Sequence, residues 1–339
     1  MNLFDERINI AMKLSDLGED KVLSWIREFL GKPGSVKTPV GDDAAVIKFG
    51  DKYLAVCSDM IQEKSHIYKG MTPYQAGRKV AVVNFSDLAS MGANPKGFLL
   101  DISIEQNETF SKFKDIFRGV DAACQQAGAK FLGGDMNKGG KLILDGFAFG
   151  EIIERPLTRT GARIGDVVAV SGFIGSAACG WQILGKELDL KRFDAETRDR
   201  INRNIIKACT EPKARVKEGK IMAKTRYVTS CTDISDGLAY SLGYMRDGYG
   251  FEIDEAKIPV RKEFDLVCEE FGLDKNLLKY HIGEDFELLC TVKPKKFEYL
   301  KEKIPSLTAI GKVVEGNKIT LINNGDRKNL KPSGYNHFQ

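Results

Sequence analysis

Tyr53-Leu-Ala-Val-Cys-Ser-Asp59 is an apolar run closed by a carboxylate, and the pattern recurs in Phe131-Leu-Gly-Gly-Asp135 and Tyr227-Val-Thr-Ser-Cys-Thr-Asp233. Each run has the length and composition of a strand, so three strands are expected to end in aspartate. The carboxyl ends of strands are where α/β proteins place ligand-binding groups, and Gly134 permits close approach to the backbone. Asp42-Asp43 after Gly41, and Asp236 beyond Ile234-Ser235, extend the set. One more acid falls on a helix. Thr72-Pro73 has the form of an N-cap followed by proline at the first helical position, and Ala76, Val80, Val83, Asp87 and Met91 then share one face. Taken singly, Asp42 or Asp43 reads equally well as a turn residue, and Asp87 as a partly buried acid with a local partner. Taken together, the acids point to a site.

Around these runs the pattern alternates strands and helices. Asp20–Leu30 is expected to be an amphipathic helix carrying Val22, Ile26, Phe29 and Leu30, closed by Gly31 and Pro33. Ala44–Phe49 and Tyr53–Cys57 flank a Gly50-Asp51 turn, a hairpin signal. A helix is expected over Thr109–Ala127, ending at Gly128, and a strand over Leu142–Phe149. The polar stretch Glu154–Gly165 reads as a connection, after which Val167–Val170 begins a new strand, glycine turn and helix. A chain of 339 residues exceeds what one hydrophobic core usually serves. The expected class is α/β (α+β), with two mixed domains over residues 1–153 and 154–339.

Composition narrows the function classes. Basic and acidic residues number 51 and 47, spread along the chain for a net charge of +4, without the basic patch of a nucleic-acid binder. No run approaches about 20 apolar residues, so no membrane span is expected. Met1–Leu14 carries Asp5 and Glu6 and lacks a secretory pattern. Seven cysteines without a C-x-x-C pair read as buried, reduced thiols. A cytoplasmic location is the resulting expectation.

Gathering many carboxylates without cations raises their pKa values by mutual repulsion and destabilises a fold. The companion groups are hard oxygens, including the hydroxyls of Ser58 and Thr232, and clusters of His and Cys suited to zinc are missing. Mg²⁺ bridging nucleotide phosphates fits best. Other motif readings fail. Gly134–Lys141 is superficially like a phosphate loop, but its Gly139-Gly-Lys-Leu142 breaks the required spacing, and Gly172-Phe-Ile-Gly-Ser176 is not a dinucleotide fingerprint. His66, His281 and His337 belong to no Ser-His-Asp signature.

The ordered blocks Gly41-Asp-Asp-Ala-Ala45, Ser58-Asp59, Asn84-Phe-Ser-Asp-Leu-Ala-Ser-Met-Gly-Ala93, Gly133-Gly-Asp135, Arg159-Thr-Gly-Ala-Arg-Ile-Gly-Asp166, Asp233-Ile-Ser-Asp-Gly-Leu238, Gly283-Glu-Asp-Phe-Glu-Leu288 and the tail Gly334-Tyr-Asn-His-Phe338 resemble the thiamine-monophosphate kinase family, within the aminoimidazole-ribonucleotide-synthetase-like superfamily. The resemblance implies a two-domain α/β fold whose N-terminal domains pair into a homodimer that forms part of the ATP site. It implies Mg²⁺ held by Asp43, Asp59, Asp87, Asp135, Asp233 and Asp236, with the Ser58 hydroxyl and the backbone carbonyl of Cys57. Phe117, Gly134, Arg159 and Ser235 would contact ATP. His66, Glu284 and Tyr335 would contact thiamine monophosphate, Tyr335 by stacking on the aminopyrimidine ring. Ser58, Lys64 and Met136 stand where the family commonly has threonine, glycine and threonine.

The implied reaction is in-line transfer of the γ-phosphoryl group of ATP to the phosphate of thiamine monophosphate, with Arg159 and Asp135 among the catalytic groups. Two alternatives stand beside it. One is another ATP-dependent synthetase of the superfamily, such as aminoimidazole-ribonucleotide or selenophosphate synthetase; the latter calls for a reactive N-terminal cysteine, whereas the first here is Cys57. The other is a nucleotide-binding protein without turnover, against which the complete acidic set argues.

Overall fold

A computed structural model describes residues 13–31, 36–38 and 41–334. The first sheet contains β1 (Val36–Thr38), β2 (Ala45–Phe49), β3 (Lys52–Gln62), β4 (Ala93–Ile104), β5 (Lys130–Gly133), β6 (Met136–Lys138) and β7 (Ile143–Ile152). They run in the order β1-β2-β3-β7-β4-β5, with β6 also paired to β4. The second sheet contains β8 (Val167–Val170), β9 (Val228–Asp233), β10 (Gly250–Asp254), β11 (Leu288–Val292), β12 (Thr308–Val314), β13 (Ile319–Asn323) and β14 (Asp326–Asn329), in the order β14-β13-β10-β12-β8-β11-β9. Most neighbours are antiparallel, and β9, which carries Asp233 as its last residue, lies at an edge.

The expected hairpin forms, with Phe49 opposite Lys52 across the turn. Its second strand runs further than expected, to Gln62, because β7 pairs with it from Leu54–Glu151 to Gln62–Ile143. Asp59 therefore sits inside a strand, not at its end. Asp135 lies in the turn between β5 and β6. Of the three runs, only the one closed by Asp233 ends as a strand on its aspartate.

The helix Pro73–Ser90 is the centre of the molecule. Thr72 caps it, accepting from the Gln75 amide at 3.2 Å while Gln75 answers with its side chain to the Thr72 amide at 2.9 Å. A single apolar stripe was the expectation. Instead nearly every side chain from Ala76 to Ser90 is buried. The reason is its surroundings: the helix lies on β3 and β7, crosses the helix Phe110–Ala127, and meets β9 and the helix Val216–Thr225 from the second sheet's half of the chain. The sheet admits it closely because Gly146, Ala148 and Gly150 face it from β7; a Cβ on Gly146 would fall 2.4 Å from Asn84 Nδ2.

The main core consequently runs through both halves, joining Val80, Phe85, Leu88, Phe98 and Ile116 to Met222, Cys231, Leu288 and Cys290. All seven cysteines are free thiols, and all except Cys57 are buried. The N-terminal helix forms over Glu19–Leu30 as expected, yet Phe29 remains 71% exposed, so its apolar face is not covered by the described residues.

Two glycines set the helix crossing. A Cβ on Gly77 would lie 1.9 Å from the carbonyl oxygen of Ile116, and one on Gly119 would lie 2.0 Å from that of Tyr74. Both obstacles are backbone, which cannot rotate away. Gly77→Ala is expected to destabilise the fold by about 3 kcal/mol or more, measured by urea unfolding; a midpoint equal to the parent's would show that the crossing adapts freely.

Candidate active site

Asn84, Ser86 and Asp87 are polar residues in a helix otherwise sheathed in apolar side chains, and each reaches another element. Asn84 clamps β3: its Oδ1 accepts from the Asp59 amide at 3.0 Å, and its Nδ2 donates to the Asp59 carbonyl at 3.2 Å and to the Val80 carbonyl at 2.9 Å. Ser86 donates to the Asp233 carboxylate at 2.5 Å. Asp87 completes a convergence. Carboxylate oxygens of Asp43, from the turn before β2, Asp87 and Asp233 all lie within 4.8 Å of one another.

The cost of that convergence is visible in the proton affinities. Burial, then the other acids, holds Asp87 well above the ordinary carboxylate range. Burial and Asp43 push Asp233 up to about 8 despite the Ser86 hydrogen bond. Burial and Asp43 raise Asp42 to about 6. Asp59 keeps a solvent-exposed edge, yet packing around its carboxylate and the charges of Asp236, Asp43 and Asp145 raise it to about 7. Arg159 is the cation set against this group. Its Nε lies 2.9 Å from Asp43 Oδ1, its amide donates to Asp42 at 3.2 Å, and its guanidinium sits 4.6 Å over the Tyr244 ring. Thr232 donates to the same Asp43 oxygen at 2.9 Å.

The other oxygen of Asp43 is buried and has no hydrogen-bond partner among the described residues. An anionic oxygen deprived of water and of donors is costly, and one bordered by two further carboxylates more so. That donor set suits a divalent cation that prefers oxygen ligands, such as Mg²⁺.

Beside the acids opens a cavity of about 550 Å³. Asp59, Ser235 and Asp236 line it together with His66, Tyr68, Trp181 and Glu284. His66 Nδ1 lies 2.7 Å from the Ser65 hydroxyl. Glu284, at φ 67°, is held by its amide, which donates to the Ser235 carbonyl at 2.7 Å. Its carboxylate accepts from the Tyr68 hydroxyl and lies 2.7 Å from Lys79 Nζ. Lys79 is fully buried and also donates to the His66 carbonyl at 2.8 Å. Burial lowers Lys79 to about 7 and raises Glu284 well above its ordinary value.

Lys79, Asn84, Ser86, Tyr68 and Trp181 were not singled out from the sequence. For the first three a signal existed, since each is a polar residue in a run of buried apolar ones; for Tyr68 and Trp181 none did.

Other expected site residues lie elsewhere. Strand alternation turns Cys57 and Asp59 toward the helix Pro73–Ser90 and Ser58 to the opposite, exposed face, so the Ser58 hydroxyl does not join the acidic group. The Cys57 thiol donates to the Asn84 carbonyl at 3.3 Å, and burial together with Asp87 keeps it protonated. Asp135 is exposed, its amide donating to Asp101 at 2.8 Å and its carboxylate accepting from Asn137 at 2.9 Å, outside the three-carboxylate group. Gly134 is pressed onto β4, where a Cβ would fall 1.8 Å from the Leu100 carbonyl oxygen. Phe117 packs between Phe113 and Phe131, with ring centroids 4.5 and 5.5 Å away. Tyr335 lies outside the described residues.

The family models for AIR synthase related proteins match this chain in both parts, the N-terminal domain over residues 41–152 and the C-terminal domain over 163–324. The thiamine-monophosphate kinase of Methanocaldococcus jannaschii is 33% identical, over 88% of this chain and 94% of its own. That of Aquifex aeolicus is 30% identical, over 96% of this chain and 100% of its own. The solved structure of AaThiL complexed with AMPPCP and TMP matches with a TM-score of 0.82 at 29% identity, covering 97% of this chain and 100% of that one. With two AIR synthase related domains in order, and relatives of one name aligned along nearly their full length, the chain belongs to the thiamine-monophosphate kinase family.

Proposed function

We infer that this chain transfers the γ-phosphoryl group of ATP to the phosphate of thiamine monophosphate, giving thiamine diphosphate and ADP. The observation that carries the reading is the continuity of the cavity, which joins the acids Asp59 and Asp236 to a pocket bounded by His66, Glu284 and Trp181. One end suits a metal-bound polyphosphate. The other suits a flat, cationic, hydrogen-bonding heterocycle, with an aromatic face at Trp181 and a carboxylate at Glu284.

An oxygen of the thiamine monophosphate phosphate forms a bond to the γ-phosphorus as the bond from that phosphorus to the β-bridging oxygen breaks, and ADP leaves with the electron pair. The attacking oxygen is already anionic near neutral pH, so no strong general base is called for. Mg²⁺, held by Asp43, Asp87 and Asp233 with Asp59 and Asp236 at the cavity edge, would neutralise phosphate charge. Arg159 supplies a second positive charge beside the acids, Asn84 and Ser86 keep Asp59 and Asp233 in place, and Lys79 and Tyr68 fix the Glu284 carboxylate. Catalysis by this set is positioning and charge neutralisation.

A homodimer is part of the same reading. The outer face of the first sheet leaves Met60, Leu132, Met136 and Phe147 between 39% and 60% exposed, in line with pairing of two such sheets. Asp135, Gly134 and Phe117 lie in this half, where the resemblance assigns Gly134 and Phe117 to ATP and Asp135 to both Mg²⁺ and ATP, as it assigns Tyr335 to the vitamin. Free cysteines, and the lack of any described helix long and apolar enough to cross a membrane, support a cytoplasmic location.

ADP release with and without thiamine monophosphate is the direct test. Turnover is expected to require both thiamine monophosphate and Mg²⁺, and Asp87→Asn to lower it by orders of magnitude while the protein stays folded; an active, folded Asp87→Asn enzyme would remove Asp87 from the mechanism. Glu284→Gln is expected to raise KM for thiamine monophosphate several-fold and leave KM for ATP nearly unchanged. Equal changes in both constants would contradict the division of the cavity. Lys79→Met strands Glu284 without its cation and is expected to cost about 3 kcal/mol of stability, with Lys79→Met/Glu284→Gln recovering part of it in thermal unfolding.

A further inference from the structure

A second cavity, of about 370 Å³, lies behind the Glu284 segment. The two share a wall: Glu284 and Phe286 line the active-site cavity, whereas Asp285 and Glu287 line this one. Its acids are already engaged. Asp285 accepts from the amides of Gly175 and Ala177 at 2.7 and 3.1 Å, Glu287 from Arg215 and from Ser171 at 2.6 Å, and Glu211 from Gln75 at 2.9 Å.

Two of its cations are paired with those acids, Lys207 with Glu211 and Arg215 with Glu287. The other three, Arg203, Lys213 and Arg261, make no ion pair with a carboxylate among the described residues. Arg261 is instead stacked on the Phe173 ring at 3.8 Å, which holds its guanidinium in one orientation. Arg203 lies on a π-helical turn over Asn202–Ile206, where its Nε donates to the Asp199 carbonyl at 3.3 Å and leaves the terminal guanidinium nitrogens to the cavity.

A fourth group points the same way. Ser176 lines the cavity with only 3% residual exposure, and its hydroxyl has no hydrogen-bond partner among the described residues. A buried hydroxyl without a partner, in a cavity also lined by three cations that have no carboxylate partner, is complementary to an anion with several acceptor oxygens. We propose that this cavity binds the phosphate group of a small phosphorylated molecule, held by Arg203, Lys213, Arg261 and the Ser176 hydroxyl, at a site separate from the catalytic one.

The test is calorimetric titration of the full chain with pyrophosphate in EDTA, where the metal-free carboxylates of the active site repel a polyphosphate. One equivalent is expected to bind, more weakly as salt is raised. Lys213→Ala/Arg261→Ala is expected to weaken binding at least tenfold and Ser176→Ala several-fold, with kinase turnover and thermal midpoint near those of the parent. Lys213 is exposed, so Lys213→Ala alone preserves the fold and is expected to weaken binding several-fold even if the double variant is unstable. Absence of binding to the parent chain, or unchanged affinity in Lys213→Ala and Ser176→Ala, would overturn the proposal.

Discussion

Carboxylates brought within 4.8 Å of one another inside a protein repel, and the rest of this structure is arranged around that fact. Asp43, Asp87 and Asp233 arrive from a turn, a helix and a strand end, so no single element can relieve the strain by moving alone. Arg159 and Thr232 answer one oxygen of Asp43, and Ser86 answers Asp233. The second oxygen of Asp43 is left without a partner among the described residues. A fold that holds acids in this way is poised to take up positive charge, since binding a cation removes a penalty already present in the folded state.

The helix Pro73–Ser90 makes the arrangement possible. It is packed on every side, by the first sheet, by a neighbouring helix at glycine contact, and by β9 from the second half of the chain. Because the same turn of helix carries Asn84, Ser86 and Asp87, it fixes Asp59 on β3 and Asp233 on β9 at once. Lys79, nearer its start, fixes Glu284, which lines the same cavity. The acids and the Glu284 carboxylate are thus held at a defined separation by one rigid element.

Much of this was legible in the sequence. The Thr72-Pro73 cap, the acid on the helix, Asp233 at a strand end and Gly128 in the left-handed conformation all stand where local rules put them. Local rules failed where tertiary pairing decides. The length of β3 depends on its partner β7, which no window around Asp59 reveals, and the face chosen by Ser58 follows from that strand's register. The one-sided stripe expected for Pro73–Ser90 rested on a surface-helix pattern, whereas buried Lys79, Asn84 and Ser86 mark a helix enclosed on all sides. Trp181 and Tyr68 come to the cavity only through folding and carry no local signature.

Whether the gathered acids want a cation is tested most directly by the thermal midpoint measured against pH, with Mg²⁺ and with EDTA. Asp42, Asp59 and Asp233 stand at about 6, 7 and 8 in the folded chain, above the ordinary value near 3.8, so these acids bind more protons folded than unfolded between those limits, outweighing the opposite contribution of Lys79, lowered to about 7. Stability without metal must then fall as pH rises from about 4 through 8. Mg²⁺ bound by these acids would replace those protons. The predicted result is a midpoint in EDTA that declines from pH 5.5 to 8, and an increase on adding Mg²⁺ that is small at pH 5.5 and large at pH 8. A flat profile in EDTA, or an Mg²⁺ effect of equal size at both ends, would contradict the account.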